Sequence, residues 1–375
     1  DHVDEMAGIG TCHRLAGDPV EQPGPLLARG REVLQAFGPD APRYLGGFAF
    51  ASDAVDEEPW PRFGRSRFRI PRIELRRTAD GCRLTLNLLF QRHVHLTLPQ
   101  LEAEVMGMCA EVSPPAALPP LVARQDFPDQ PGWEANVLAA LDLIRSGILD
   151  KVVLARKAVY AFAEPVRAAH VLAVLRPVTH NCYHFLIQPG ADAAFMGTTP
   201  ECLFFREGRT LRTEALAGTR PRDADPARDA ALSQELLSHP KDRHEQELVR
   251  RDILRQLHLL CDHVEAESEP HLLRLERKQH LLSRIQGHLR ADVGDEALLR
   301  ALHPTPAVGG SPREIALREL TRLEPFSRGW YAAPVGWFGR ESAEFAVGIR
   351  SGLVRGAQVN VYSGAGIVAG SDPAA

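Results

Sequence analysis

Lysine is nearly absent from this sequence. Four residues, Lys151, Lys157, Lys241 and Lys278, stand among 44 basic side chains, and the rest are arginine. Lysine is therefore not the default carrier of positive charge, and each one retained poses the question of what arginine would fail to do there. Cysteine is scarce too: six occur, at positions 12, 82, 109, 182, 202 and 261. None forms a CxxC pair, which argues against a zinc site or a compact disulfide framework and leaves reduced thiols as the expectation. No apolar run approaches the ~20 residues of a membrane-spanning helix, so no membrane partner is expected. Excess positive charge is also lacking. A formal net charge of −4, with acids and bases interspersed, gives no electrostatic case for nucleic acid. No repeat or low-complexity tract is present, and the opening DHVDE carries no leader-like pattern, so the expected location is the cytoplasm.

What is there is a globular composition, 44% apolar and 25% charged, in a chain of 375 residues, long enough for one large unit or two domains. RYLGGFAFASD (43–53), RFRIPRIELRR (67–77) and the alternating CRLTLNLLF (82–90) predict strands. Residues 113–132 are proline-rich and read as a connection between layers, which divides a strand-rich region 1–120 from 121–375. WEANVLAALDLIRSG (133–147) has helical spacing and a glycine stop, and ILDKVVLARKAVYAF (148–162) reads as a strand. Further strands are predicted at 182–188, 193–197, 202–206 and 209–216, helices near 225–238 and 241–262, and strands again in GWYAAPVGWFG, EFAVGIRSGLV and QVNVYSGAGIV. The pattern predicts an α+β fold of large, mostly antiparallel sheets with helices packed outside.

Lys151 lies in an apolar run, where a lysine either snorkels, joins an ion pair or serves as a base, the last being open to Lys because it can lose its proton. Glu201, between a proline and the apolar CLFF, is either an edge-strand acid paired with an arginine or a carboxyl kept protonated by apolar surroundings and ready to donate. In LAGTRPR, Gly218 allows close backbone approach to a ligand, with the Thr219 hydroxyl beside it.

Eight segments then occur in order: DKVVLAR, TPECLF, EALAGTRPR, KDRHEQELV, LHPTPAVGG, EPFSRGWYAAPVGW, FAVGIRSGLV and YSGAGIVAGSDP. Together they resemble the chorismate-utilising enzymes, the family of isochorismate, salicylate, anthranilate and aminodeoxychorismate synthases. The resemblance implies two intimately packed subdomains with the active site in the cleft between them, region 1–120 forming the N-terminal part and 121–375 the chorismate-binding region. Lys at 151 resembles the isochorismate and salicylate synthases, whereas ammonia-using members usually carry Gln there. Ala217 stands where aminodeoxychorismate synthases carry a nucleophilic Lys, so a small molecule, water, is expected to attack.

The implied activity is that of an isochorismate synthase acting on chorismate. Lys151, beside other positive charge, takes a proton from a water attacking ring carbon 2, and Glu201 protonates the hydroxyl leaving carbon 4. Mg²⁺ is the implied cofactor, with Glu245 of RHEQE as its carboxylate; without the family, Glu245 reads as a surface helix acid. Arg350 of GIRSG would clamp the enolpyruvyl carboxylate, with the Tyr331 hydroxyl on the same group. Gly364, Ala365 and Gly366 would offer backbone N–H groups to a carboxylate. His303 is left unassigned.

The alternatives are a salicylate synthase, which would go on to eliminate pyruvate, and a non-catalytic chorismate-binding protein. A monomer without an amidotransferase subunit is expected, its product feeding menaquinone or siderophore pathways. Family members continue past GSDP into a segment with a further metal-binding glutamate, and a tail beyond Ala375 is the expectation here.

Overall fold

The computed structural model describes residues 5–17, 23–38, 41–51, 57–89, 97–107 and 117–374. Two large antiparallel sheets dominate it. The first has seven strands: Gly310–Ser311, Lys151–Phe162, Gln358–Ile367, Ser351–Arg355, Ala194–Thr199 and Tyr183–Ile187 in spatial order, with Leu121–Phe127 paired along the far half of Lys151–Phe162. The second has ten. It runs Cys261–Ala266, Lys278–Leu289, Thr210–Pro221, Cys202–Glu207, Ser342–Val347, Pro334–Phe338, Tyr44–Phe48, Ser66–Ile70 and His13–Ala16, with His271–Arg274 beside Lys278–Leu289. The α+β expectation thus holds in class and in strand sense.

Side-chain pattern explains the strands. In Thr210–Pro221, Leu211, Thr213 and Ala215 turn inward and alternate with the outward Thr210 and Arg212. KVVLA, which opens Lys151–Phe162, is buried at all five positions, the signature of a strand covered on both faces. One apolar core joins the two sheets. Phe48, Phe68, Phe338 and Phe345 interlock edge to face, Phe204 packs at a tilt on Phe345, and Trp60, Phe195 and Trp330 extend the cluster toward the seven-stranded sheet. Each such ring stabilises the fold by about 1.5–3 kcal/mol relative to exposure.

Helix Gln130–Arg145 starts where the Asp129 side chain accepts a hydrogen bond from Gly132 N at 3.0 Å. Helix Pro240–Leu260 buries a stripe of Asp242, Gln246, Val249, Ile253 and Leu257 against the ten-stranded sheet.

Two expectations need correction. The proline-rich stretch 113–132 is more than a connection: within its described part lies the strand Leu121–Phe127, whose exposed outer face hid it from pattern reading. CRLTLNLLF is a strand only over Gly81–Leu86; its last residue, 90, falls outside the described residues. The first third of the chain builds into the same sheet as the last third. Tyr44–Phe48 pairs with Pro334–Phe338, so the sheet that the last third opens is completed by the first. Five thiols, Cys12, Cys82, Cys182, Cys202 and Cys261, are free, and Cys109 lies outside the described residues.

Candidate active site

Lys151 is the first residue of its strand and is fully buried. Its Nζ lies 2.9 Å from Glu245 Oε1, yet the approach lacks hydrogen-bond alignment and the ammonium has no hydrogen-bond partner among the described residues. The group beside Lys151 is thus the Glu245 carboxylate, the one that the resemblance assigns to the metal. Helix Pro240–Leu260 supplies it: Glu245 flanks the buried stripe, four residues before the buried Val249, and keeps 17% of its side chain exposed.

Glu201 stands where the chain crosses from one sheet to the other, between Ala194–Thr199 and Cys202–Glu207. Its carbonyl accepts from Val347 N at 3.0 Å, which pins the crossing to the ten-stranded sheet. Burial pushes its carboxyl up to about 8 despite the opposing charge of Lys151, and the Glu214 carboxylate adds to the push. No arginine pairs with it among the described residues, so the edge-strand ion pair is not what is found.

Arg350 occupies a left-handed backbone conformation (φ 48°), a strained geometry for a residue with a side chain. Its guanidinium donates to His280 Nε2 at 2.6 Å. That contact makes Nε2 the acceptor and leaves the ring proton on Nδ1, which faces Thr219 Oγ1 at 2.9 Å and Gly218 O at 3.3 Å. Burial first, and then Arg350, hold His280 down to about 4, so the ring is neutral. Gly218 (φ 74°) forms the bulge between Ala217 and Thr219 that lets the strand fold over helix Pro240–Leu260. His280 was not anticipated; its only signal was a histidine in a run of alternating apolar residues.

Tyr331 is buried, stacked on Tyr362 with ring centroids 5.1 Å apart. Burial raises its phenol well above the usual range, which keeps the hydroxyl a donor. A Cβ on Gly364 would lie 2.9 Å from that hydroxyl, so the two predicted site residues adjoin. Gly366 does the same service for the charged pair: a Cβ there would come 2.5 Å from Glu245 Oε1 and 3.2 Å from Lys151 Cε. Gly364 and Gly366 pair with Ala155 and Val153, which lays the glycine strand along the lysine strand, with Ala365 exposed between them. His303 packs against the first third of the chain: its Nε2 is 3.2 Å from Phe50 O, and its ring lies edge-on against Phe50.

For a divalent cation, Glu245 is the carboxylate on offer, held against glycine backbone in a cradle that a side chain would fill. No group of three or more His, Cys, Asp or Glu capable of holding a metal exists among the described residues. One carboxylate fits Mg²⁺, which keeps several waters and binds proteins through one or two carboxylates.

A buried lysine and a buried carboxyl held up to about 8 lie in this site with Arg350, Tyr331 and the glycine strand. The chain belongs to the chorismate binding enzyme family, whose model matches residues 6–375. It is 35% identical over 346 residues to the chloroplastic isochorismate synthase of Catharanthus roseus, covering 88% of this chain and 59% of that protein. It is 38% identical over 312 residues to the isochorismate synthase MenF of Escherichia coli strain K12, covering 81% and 70%.

Among solved structures, MenF, the menaquinone-specific isochorismate synthase from Escherichia coli, superposes with a TM-score of 0.84 at 33% identity, covering 99% of this chain and 82% of that one. Anthranilate synthase component I from Streptococcus pneumoniae TIGR4 shares the fold (TM-score 0.80) at 18% identity, covering 99% and 88%. No helix of the described residues is long and apolar enough to cross a membrane.

Proposed function

We propose that this protein is an isochorismate synthase, converting chorismate to isochorismate. The observation that carries the reading is the pairing, in one site, of the buried Lys151 with a Glu201 carboxyl held up to about 8. Similarity to isochorismate synthases over most of the chain supports it. Lys151 takes a proton from the water attacking ring carbon 2. Glu201 delivers a proton to the hydroxyl leaving carbon 4 as the ring double bonds shift, so water enters and water leaves. Each transfer contributes roughly 10²–10⁴-fold.

Arg350 and Tyr331 hold the enolpyruvyl carboxylate; Gly218, Thr219 and the Gly364–Ala365–Gly366 backbone line the ring side. Glu245 would hold Mg²⁺, which when bound neutralises the ring carboxylate. Ala217 provides no nucleophile, consistent with water as the attacking group. The five free thiols suit a reducing compartment, and we place the enzyme in the cytoplasm as a monomer without an ammonia-supplying subunit.

The test is a product assay on chorismate with Mg²⁺, with and without chelator, resolved by chromatography and mass. Isochorismate in metal-dependent amounts is expected. Salicylate with pyruvate would replace the reading by a salicylate synthase, and binding without any product would leave a chorismate-binding protein.

A further inference from the structure

The lysine strand has an incomplete ladder at the place where it carries the site. Along one edge, Lys151–Phe162 pairs continuously with the glycine strand Gln358–Ile367. Along the other, Gly310–Ser311 covers Lys151 and Val152, and Leu121–Phe127 covers Lys157 to Phe162. Among the described residues, no strand adjoins residues 153–156 on that edge between these two partners. Unpaired backbone groups there, in the buried Val153 and Ala155, would be costly.

Two side chains stand in for the missing strand. Ala155 N donates to Glu324 Oε1 at 2.8 Å, and Val153 O accepts from Arg328 NH2 at 2.6 Å. The two side chains are joined to each other, Arg328 Nε donating to Glu324 Oε2 at 2.7 Å, and both are buried, 3% and 5% exposed. Arg328 NH1 also donates to Val308 O at 2.8 Å, beside Gly309, whose carbonyl accepts from Val153 N at 2.9 Å. The guanidinium is thus spent on one carboxylate and two carbonyls, a planar fork that lysine lacks.

The same pair reaches the substrate side. Tyr331 N donates to Arg328 O at 2.9 Å, and the Arg328 guanidinium lies 5.9 Å from the Tyr331 ring and 4.4 Å from that of Phe50. Val153 and Ala155 are the residues that face Gly366 and Gly364 across the ladder. The ion pair therefore holds the strand at the second and fourth residues beyond Lys151, the two residues that lie opposite Gly366 and Gly364.

We infer that Glu324 and Arg328 are positioning residues for the reaction: a side-chain clamp that completes the ladder at Val153 and Ala155 and so sets the height of Lys151 over the site. The inference rests on the proposed role of Lys151 as base. Misplacing a reacting group by about 1 Å can cost ~10²-fold in rate, which is the size of effect the clamp guards against.

The test compares Arg328→Lys, Lys151→Ala and the double variant in the full chain, with chorismate and Mg²⁺. Arg328→Lys is expected to lower kcat by roughly 10²-fold with KM nearly unchanged. If Arg328 works through Lys151, the two losses do not multiply: in the Lys151→Ala background the second substitution costs little more. Losses that multiply, or a kcat that returns to the wild-type value once unfolded protein is discounted, would overturn the proposal in favour of a purely structural ion pair.

Where Arg328→Lys fails to fold, Glu324→Gln keeps an acceptor for Ala155 N while removing the charge, and the same comparison applies. Amide hydrogen exchange supplies a readout independent of activity. Exchange at Ala155 should be slow in the wild type and much faster in Glu324→Ala; equal protection in both would refute the clamp. If the wild-type protein makes no isochorismate, the proposed function fails on that result, and the clamp is then judged by the exchange at Ala155.

Discussion

Lys151 Nζ and Glu245 Oε1 lie 2.9 Å apart without hydrogen-bond alignment, one of them wholly buried and the other at the rim. An arginine would fill the same electrostatic place, so the lysine is retained for something the charge alone does not give. Lys151→Ala and Lys151→Arg should therefore fail alike, losing roughly 10²–10⁴-fold in kcat. Chorismate affinity, measured by calorimetry, should survive in both. A Lys151→Arg protein with near-wild-type turnover would rule the base assignment out.

Glu201 gives a signed pH dependence. Its carboxyl ordinarily ionises near 4.5 and is pushed up to about 8 by burial, so it is protonated, as an acid catalyst must be, at neutral pH. Turnover should fall as pH rises through about 8, and Glu201→Gln should abolish both the activity and that limb. Stability moves in the same direction. The folded protein retains a proton that the unfolded chain releases above 4.5, so Glu201 makes stability fall as pH climbs from about 4.5 to about 8. The melting temperature of Glu201→Gln relative to wild type should rise across that window and stay level below it.

Much of this site was legible because its motifs are local. TPECLF and LAGTRPR each carry a functional group within a few residues of the turn or bulge that presents it, and Gly218 shows the left-handed backbone such a bulge calls for. What the sequence hid is whatever depends on two distant segments meeting. His280 is informative only once Arg350, Thr219 and Gly218 are seen around it. Glu324 and Arg328 stand in the EPFSRGWYAAPVGW segment, where they carry no assigned role until the gap in the lysine strand is known.

Strand Leu121–Phe127 was missed because its five leading residues are exposed, which removes the alternation that marks a half-buried strand. The contact between Lys151 and Glu245 was hidden for a related reason: charged neighbours crowd Glu245 in sequence, and only the turn of its helix aims it inward.

The contact between Arg350 and His280 supports a further prediction. A hydrogen bond to a charged donor is worth about 1.5–3 kcal/mol, and His280 is the acceptor that steadies a guanidinium already on strained backbone. His280→Ala should raise KM for chorismate by roughly ten- to a hundredfold. His280→Gln, which restores an acceptor on a chain of similar reach, should recover part of the loss. Equal KM values in wild type and His280→Ala would show that Arg350 holds its pose unaided.

Gly366→Ala isolates the geometry of the charged pair from its chemistry. The substitution keeps Lys151, Glu245 and Glu201, and Gly366 has no left-handed backbone that a methyl group would strain. Yet the new Cβ would stand 2.5 Å from Glu245 Oε1 and 3.2 Å from Lys151 Cε, distances at which something must move. The carboxylate is the easier to displace, since it sits at the rim while the lysine is enclosed. Its departure takes away both the counter-charge of Lys151 and the carboxylate offered to a cation. Gly366→Ala should therefore melt within a few degrees of wild type while losing most of its turnover, and a higher Mg²⁺ concentration should be needed to reach half-maximal rate. A titration of activity against Mg²⁺, run beside thermal melts, checks both halves. An unchanged metal dependence would mean that Glu245 is not the cation's anchor.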